Sequence, residues 1–282
     1  MLSLLLAMTQ ITTSGEGGGE TTPNPRQEPR SWTSMMMPVV QQTCMNNANT
    51  MLGAMALASS RSDRHAGEWF QNPELSLDSS YSRQHFDGIG SGYTVSNRLG
   101  LSSELGSGSL VGLGINQSRS TPGDEVETLG GDLFFHQELN EHYGLAAFVL
   151  ADQVDIPARN RSSQILGAGL SFTTFHDLGG NFDFSSIHTL SWLDYELNAG
   201  LMGMSTGRLN YHWTESVESS VFGTLFHDFG PDVDQDNTWF DAGIDLNWKI
   251  GASLGVGLSY SRNFRLDDVS NNTYGLQLLW SF

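Results

Sequence analysis

The side chains in this 282-residue chain that could do covalent chemistry are serines close to histidines. A hydroxyl nucleophile needs an adjacent base, and His188 lies near Ser185 and Ser186, with Ser171 in a neighbouring segment. His136, His176, His212 and His227 are scattered over separate segments. The loop Pro231–Asn237 spaces Asp232, Asp234 and Asp236 two apart, as in the first part of a calcium loop. It lacks the sixth-position glycine and the distal glutamate, because Ala242 and Gly243 occupy that region, so it reads as a solvated loop. Asp267 and Asp268 are sequential and would point to opposite faces of a strand, so they make no catalytic dyad. The single Cys44 excludes a disulfide framework and a cysteine-based zinc site. No catalytic, metal-binding or cofactor-binding residue is assigned, no cofactor is expected, and no enzymatic activity is expected.

Charge narrows the function classes further. Lys and Arg total 13 against 31 Asp and Glu, a formal charge of -18. A protein that neutralises phosphates needs a basic face, and this chain cannot build one, so nucleic acid is excluded as a partner. No run approaches the ~18–20 apolar residues of a spanning helix. With 32 glycines and 10% aromatic residues, the composition suits an all-β protein.

Composition changes near residue 65. Residues 1–64 hold a short apolar start (Leu2 to Met8), a stretch with Gly17–Gly19, Pro23 and Pro25, and a segment from about 39 to 60 that reads as a helix. Leu2–Met8 and Met51–Ala58, the latter ending in a small-x-small Ala56-Leu57-Ala58, are signal-peptide candidates without a basic start, as a chain truncated at its N-terminus would show. Residues 65–282 form the second region. In its last part, Leu254, Val256, Leu258 and Tyr260 alternate with Gly255, Gly257, Ser259 and Ser261, and Tyr274, Leu276, Leu278, Trp280 and Phe282 alternate with Gly275, Gln277, Leu279 and Ser281. Side chains on a strand point alternately to opposite faces, so each segment has one apolar face. The same period recurs from Glu74 onward and predicts about twelve strands of ~10–14 residues, long enough to cross a bilayer at a tilt.

The connections sort by parity. Leu105–Gly108, Leu139–His142, Asp177–Gly180, Thr214–Ser216 and Ile250–Gly251 read as tight turns; Phe86–Ser91, Arg119–Val126, Asp155–Arg161, Gly230–Asn237 and Arg265–Asn271 read as longer loops, while Leu193–Glu196 breaks the rule. A membrane barrel has that asymmetry; a soluble sandwich has no reason for it. Trp213, Trp248, Trp280, Phe135 and Tyr143 would form an aromatic belt on one rim, and Trp192, Trp239 and Tyr274 one on the other. Arg98, Asp132, Arg208, Asp241, Asp245 and Lys249 fall on the face opposite the apolar one and are expected to face a wet lumen, lining a channel or holding a helix by its Gln41, Gln42, Asn46 and Asn47.

Tyr274–Phe282, apolar or aromatic at every second position and ending in Phe282, resembles the C-terminal signature of bacterial outer-membrane barrels. That resemblance implies recognition by the barrel-assembly machinery, with Tyr274, Leu276, Leu278, Trp280 and Phe282 as the assembly signal. The histidines do not show the His-x-Ser-Asn pattern expected of outer-membrane phospholipases. A narrower resemblance is to the translocator (β) domain of autotransporters, with residues 39–60 where that family's pore helix stands and the Met51-Leu52-Gly53-Ala54, Arg61 and Gly67-Glu68-Trp69 stretch as its helix-to-strand junction. The expectation is a closed antiparallel transmembrane β-barrel in the outer membrane, preceded by a plug helix and displaying or exporting an N-terminal segment. Only about sixty residues precede the barrel and none repeat, unlike the large β-helical passengers of that family. The competing expectation is a porin-like channel or small-solute transporter. The expected partners are outer-membrane lipid and lipopolysaccharide, with the barrel a monomer.

Overall fold

The computed structural model describes residues 71–86, 90–105, 108–121, 125–195, 198–229, 238–251, 253–265 and 269–281. Twelve strands follow one another: β1 (Gln71–Phe86), β2 (Gly90–Glu104), β3 (Ser109–Thr121), β4 (Val126–Glu138), β5 (Tyr143–Ile156), β6 (Arg161–Gly179), β7 (Phe182–Tyr195), β8 (Asn198–Thr214), β9 (Val217–Asp228), β10 (Thr238–Ile250), β11 (Leu254–Arg265) and β12 (Val269–Ser281). Each pairs antiparallel with its chain neighbours, and β1 closes on β12 from Glu74↔Ser281 to Phe86↔Val269. Closure leaves no unpaired edge, which is what lets a sheet sit in hydrocarbon.

Alternation in the sequence becomes alternation in burial. In β5 exposed and buried residues alternate from Tyr143 through Val154, with Leu145 and Val149 outward and Phe148 and Leu150 inward. The outward set of the barrel is apolar: Leu129, Leu170, Val221 and Ile244 are all more than half exposed. A water-soluble protein rarely leaves so continuous an apolar surface bare. Buried polar side chains, among them Arg98, Asp132, Asp152, Thr173 and Asn210, lie inward. This inversion is the pattern of a membrane barrel.

The strands run further than the alternation predicts, up to the 19 residues of β6. The lengthening takes residues out of the expected loops, so the parity of connection lengths largely disappears. Four residues separate β3 from β4 and two separate β7 from β8; the stretch 229–237 between β9 and β10 is the longest connection, at nine. A one-turn 3-10 helix, Pro157–Arg159, joins β5 to β6. On the opposite rim, Gly179 and Gly180 carry the β6–β7 turn with φ of 85° and 67°, where a Cβ would be strained. The rim of the β2–β3, β4–β5, β6–β7, β8–β9 and β10–β11 connections is called the turn rim below, and the opposite one the loop rim. The predicted helix at 39–60 lies outside the described residues.

The lumen wall as the candidate functional site

Arg98 on β2 reaches over β3 to Asp132 on β4. Its Nε donates to Oδ2 at 3.0 Å and its Nη2 to Oδ1 at 2.7 Å, a two-pronged fit that matches the planar guanidinium. The reach is possible because the intervening inward residue is Gly114, where a Cβ would overlap both the guanidinium and the Asp132 carboxylate. The same device recurs around the barrel. The ring of Phe134 covers Gly112, that of Phe148 covers Gly169, and Leu150 and Leu193 close over Gly167 from either side. Each of these large inward side chains lies in the notch that a glycine leaves on the paired strand. These side chains are thereby laid along the wall.

Towards the turn rim the wall is polar. Arg208 Nη1 meets Asp245 Oδ2 at 2.6 Å, and its guanidinium sits 5.5 Å from the Phe222 ring centre. Asp183 accepts from Asn210 and meets His212 Nε2, while His212 Nδ1 is 3.4 Å from Glu218. His136 pairs with Thr173. Nearer the loop rim, Asp241 accepts from Asn263. Towards the loop rim, strands β5 to β10 carry an apolar cluster, in which Val154, Ile156, Ile165, Leu193, Phe226 and Trp239 are all buried, beside buried polar side chains such as Thr128, Asp152 and Ser163. Phe226 and Trp239 stack with ring centres 5.2 Å apart.

The structure places Arg98, Asp132, Arg208, Asp241 and Asp245 on the inward face, four of them in the two ion pairs just described. Lys249 has the same strand parity but sits exposed at the turn rim. Of the expected belts, Trp213, Trp248, Trp280, Phe135 and Tyr143 are exposed near the turn rim, and Trp192 and Tyr274 are exposed on the outer face. Trp239 departs from expectation: it is 3% exposed and inward, because β10 begins at Thr238 and sets its parity with Asp241. The apolar cluster at the loop-rim ends of β5 to β10 was not foreseen. Its signal is β5, where Phe148, Leu150, Val154 and Ile156 make the inward face as apolar as the outward one. Tyr274, Leu276, Leu278 and Trp280 share the outward face of β12; Phe282, Cys44, Asp232, Asp234, Asp236, Asp267 and Asp268 lie outside the described residues. Among the described residues no group of three metal-ligating side chains converges.

No family model and no curated protein matches the sequence. Solved structures do match. The translocator domain of the autotransporter NalP from Neisseria meningitidis is similar at TM-score 0.59 and 10% identity, covering 89% of this chain and 99% of that one. The fold is that of a bacterial outer-membrane β-barrel. The β domain of the Bordetella autotransporter BrkA aligns at TM-score 0.56 and 13% identity, over 74% of this chain and 99% of that one. An outer-membrane channel from Pseudomonas putida F1 aligns at 0.55 and 11%, over 79% and 99%. Translocators and channels thus share this outer-membrane barrel's architecture.

Proposed function

We propose that this outer-membrane barrel is an autotransporter-type translocator and anchor, which holds its N-terminal segment in or through the lumen. The observation that carries the reading is the shortness of every connection. No stretch between consecutive strands exceeds nine residues, so none is long enough to fold into the lumen as a constriction or to stand out as a surface domain. The 70 residues before β1 are long enough for either role. At ~1.5 Å per residue, a helix over 39–60 would be about 30 Å long, enough to thread the membrane.

The wall supports the same reading. Arg98 and Arg208 are each paired with a wall carboxylate, so neither offers a free charge to select a passing ion. A porin-like channel is the second reading, supported by the likeness to the Pseudomonas channel.

An epitope tag near Gly18, behind a supplied signal peptide, separates the two. Antibody labelling of intact Gram-negative cells is the expected result. Labelling only after permeabilisation, with the barrel inserted, would put the segment in the periplasm and favour the channel. Removing residues 1–64 should raise single-channel conductance in planar bilayers; unchanged conductance would mean the segment does not occupy the lumen. Deleting Phe282 should lower the yield of inserted barrel several-fold, read by the heat-modifiable gel shift, if the C-terminal strand is the assembly signal.

A further inference from the structure

His188 faces outward from the middle of β7, on the side of the barrel that meets lipid. It shares that face with Leu190, Trp192 and Phe182, all exposed, and it is exposed itself. Other outward ionisable side chains, such as Arg83, Arg119, Asp155 and Arg262, sit near strand ends. Trp192 lies four residues towards the loop rim and Phe184 four towards the turn rim. At ~3.3 Å per residue and a tilt of about 40°, each is about 10 Å from His188 along the membrane normal. His188 therefore lies near the bilayer midplane.

It is not alone there. Its Nδ1 is 2.8 Å from Ser205 Oγ on β8 and its Nε2 is 3.1 Å from Ser186 Oγ, which in turn is 2.9 Å from Thr174 Oγ1 on β6. Four polar side chains on three strands form one chain of hydrogen bonds across the lipid-facing surface. The chain can polarise one way: Ser205 O–H to Nδ1, Nε2–H to Ser186, Ser186 O–H to Thr174. A serine held by an imidazole whose other nitrogen is oriented by a third group is also the arrangement that acyl transfer needs. Depth argues against that use, because lipid ester carbonyls lie at the interface, roughly 10 Å away by the same spacing.

Polar groups at membrane depth are costly and usually mark a function. In membranes, hydrogen-bonding side chains and small residues drive association between spanning elements. The first are present at this depth. Beside Ser205 on the same outward face of β8 stand Gly203 and Gly207, over which the rings of Phe229 and Phe184 lie, so the polar chain is flanked by flat aromatic faces. Two barrels inserted in the same direction are related by a two-fold axis along the membrane normal, which sets every residue opposite its own depth. A midplane polar group in such a pair meets itself. Serine and neutral histidine both donate and accept, so they are complementary to their own copies. We infer that the β7–β8 face is the contact of a homodimer in the membrane, with Ser205 and His188 at its centre, in place of the monomer expected from the sequence.

Cys44→Ala with Ser205→Cys gives the full chain one cysteine. Oxidation in native outer membranes is expected to give a disulfide-linked dimer on a non-reducing gel, whereas the same chain with Leu129→Cys, on the distant β4 face, should not. His188→Leu, which suits lipid, should keep the heat-modifiable gel shift of a folded barrel, raise or preserve its urea midpoint, and weaken the dimer at least tenfold by sedimentation in mild detergent. A side chain kept only for barrel stability would lower that midpoint and leave association unchanged. A monomeric parent protein, equal cross-linking at Leu129→Cys, or a dimer indifferent to His188→Leu would overturn the inference. Sedimentation of the parent against His188→Leu decides the matter even if Ser205→Cys does not fold.

Discussion

Two arginine–carboxylate pairs of nearly the same length show how differently the wall and the rim use one interaction. Arg98 and Asp132 meet at 2.7 Å with side chains 1% and 3% exposed. Arg119 and Glu125 meet at 2.6 Å with side chains 55% and 32% exposed, where β3 ends at the loop rim. In water the second pair gains little, since solvent screens it and two long side chains must be held still. The first cannot be taken apart cheaply, because losing either partner strands a charge inside the wall. Equal distances thus carry unequal energies, and the environment sets the difference.

The largest effect should come from breaking the inner pair on one side. Arg98→Met leaves Asp132 without its counter-charge and should cost about 3–5 kcal/mol, read as a lower urea midpoint for the refolded barrel in detergent. Replacing both, as Arg98→Met with Asp132→Leu, should recover most of the loss. If the single and double variants unfold together, the pair is not what holds this part of the wall.

The inner pair was only half visible in the sequence. Strand parity puts Arg98 and Asp132 on one face, but that they touch depends on Gly114 on the strand between them, which follows from register and not from spacing. Strand existence was legible, because period-two alternation in segments such as Leu254–Arg265 and Val269–Ser281 reports two faces directly. Strand ends were less so: Asp177 and Gly179, in the expected turn Asp177–Gly180, stay paired with β7. Trp239 misled because an aromatic near a strand end suits a belt as well as a lumen cluster, and one residue of parity decides between them. The outward Ser186–His188–Ser205 chain shows the same limit. The i, i+2 pair is in the sequence, but Ser205 comes beside it only through the β7–β8 register.

A second contrast tests the glycine notches. Gly114→Val should force the Arg98 and Asp132 side chains apart and cost about 1–3 kcal/mol, the usual range for overpacking. Gly207→Ala, on the outer face, would meet nothing closer than the Phe184 ring at 3.5 Å. It should stay within about 0.5 kcal/mol of the parent by the same urea assay. A strong loss at Gly207 would mean that backbone conformation, and not the space it leaves, is why these glycines are there.

The smallest effect belongs to the rim pair. The hydrogen bond from Arg119 holds the Glu125 carboxyl below its usual range. A carboxylate whose pKa falls on folding contributes stability above its unfolded pKa and loses it as pH drops through the folded value. Arg119→Ala should therefore change the urea midpoint slightly at neutral pH and not at all in strong acid, where Glu125 is protonated in either state. Moderate salt should shrink even the neutral difference, since the Debye length falls to about 3 Å at 1 M. The inner pair should show no such salt dependence, because ions cannot enter between Arg98 and Asp132. If salt weakened both alike, Arg98 and Asp132 would be solvated in the membrane-embedded barrel, and the large loss expected from Arg98→Met would shrink towards that of Arg119→Ala.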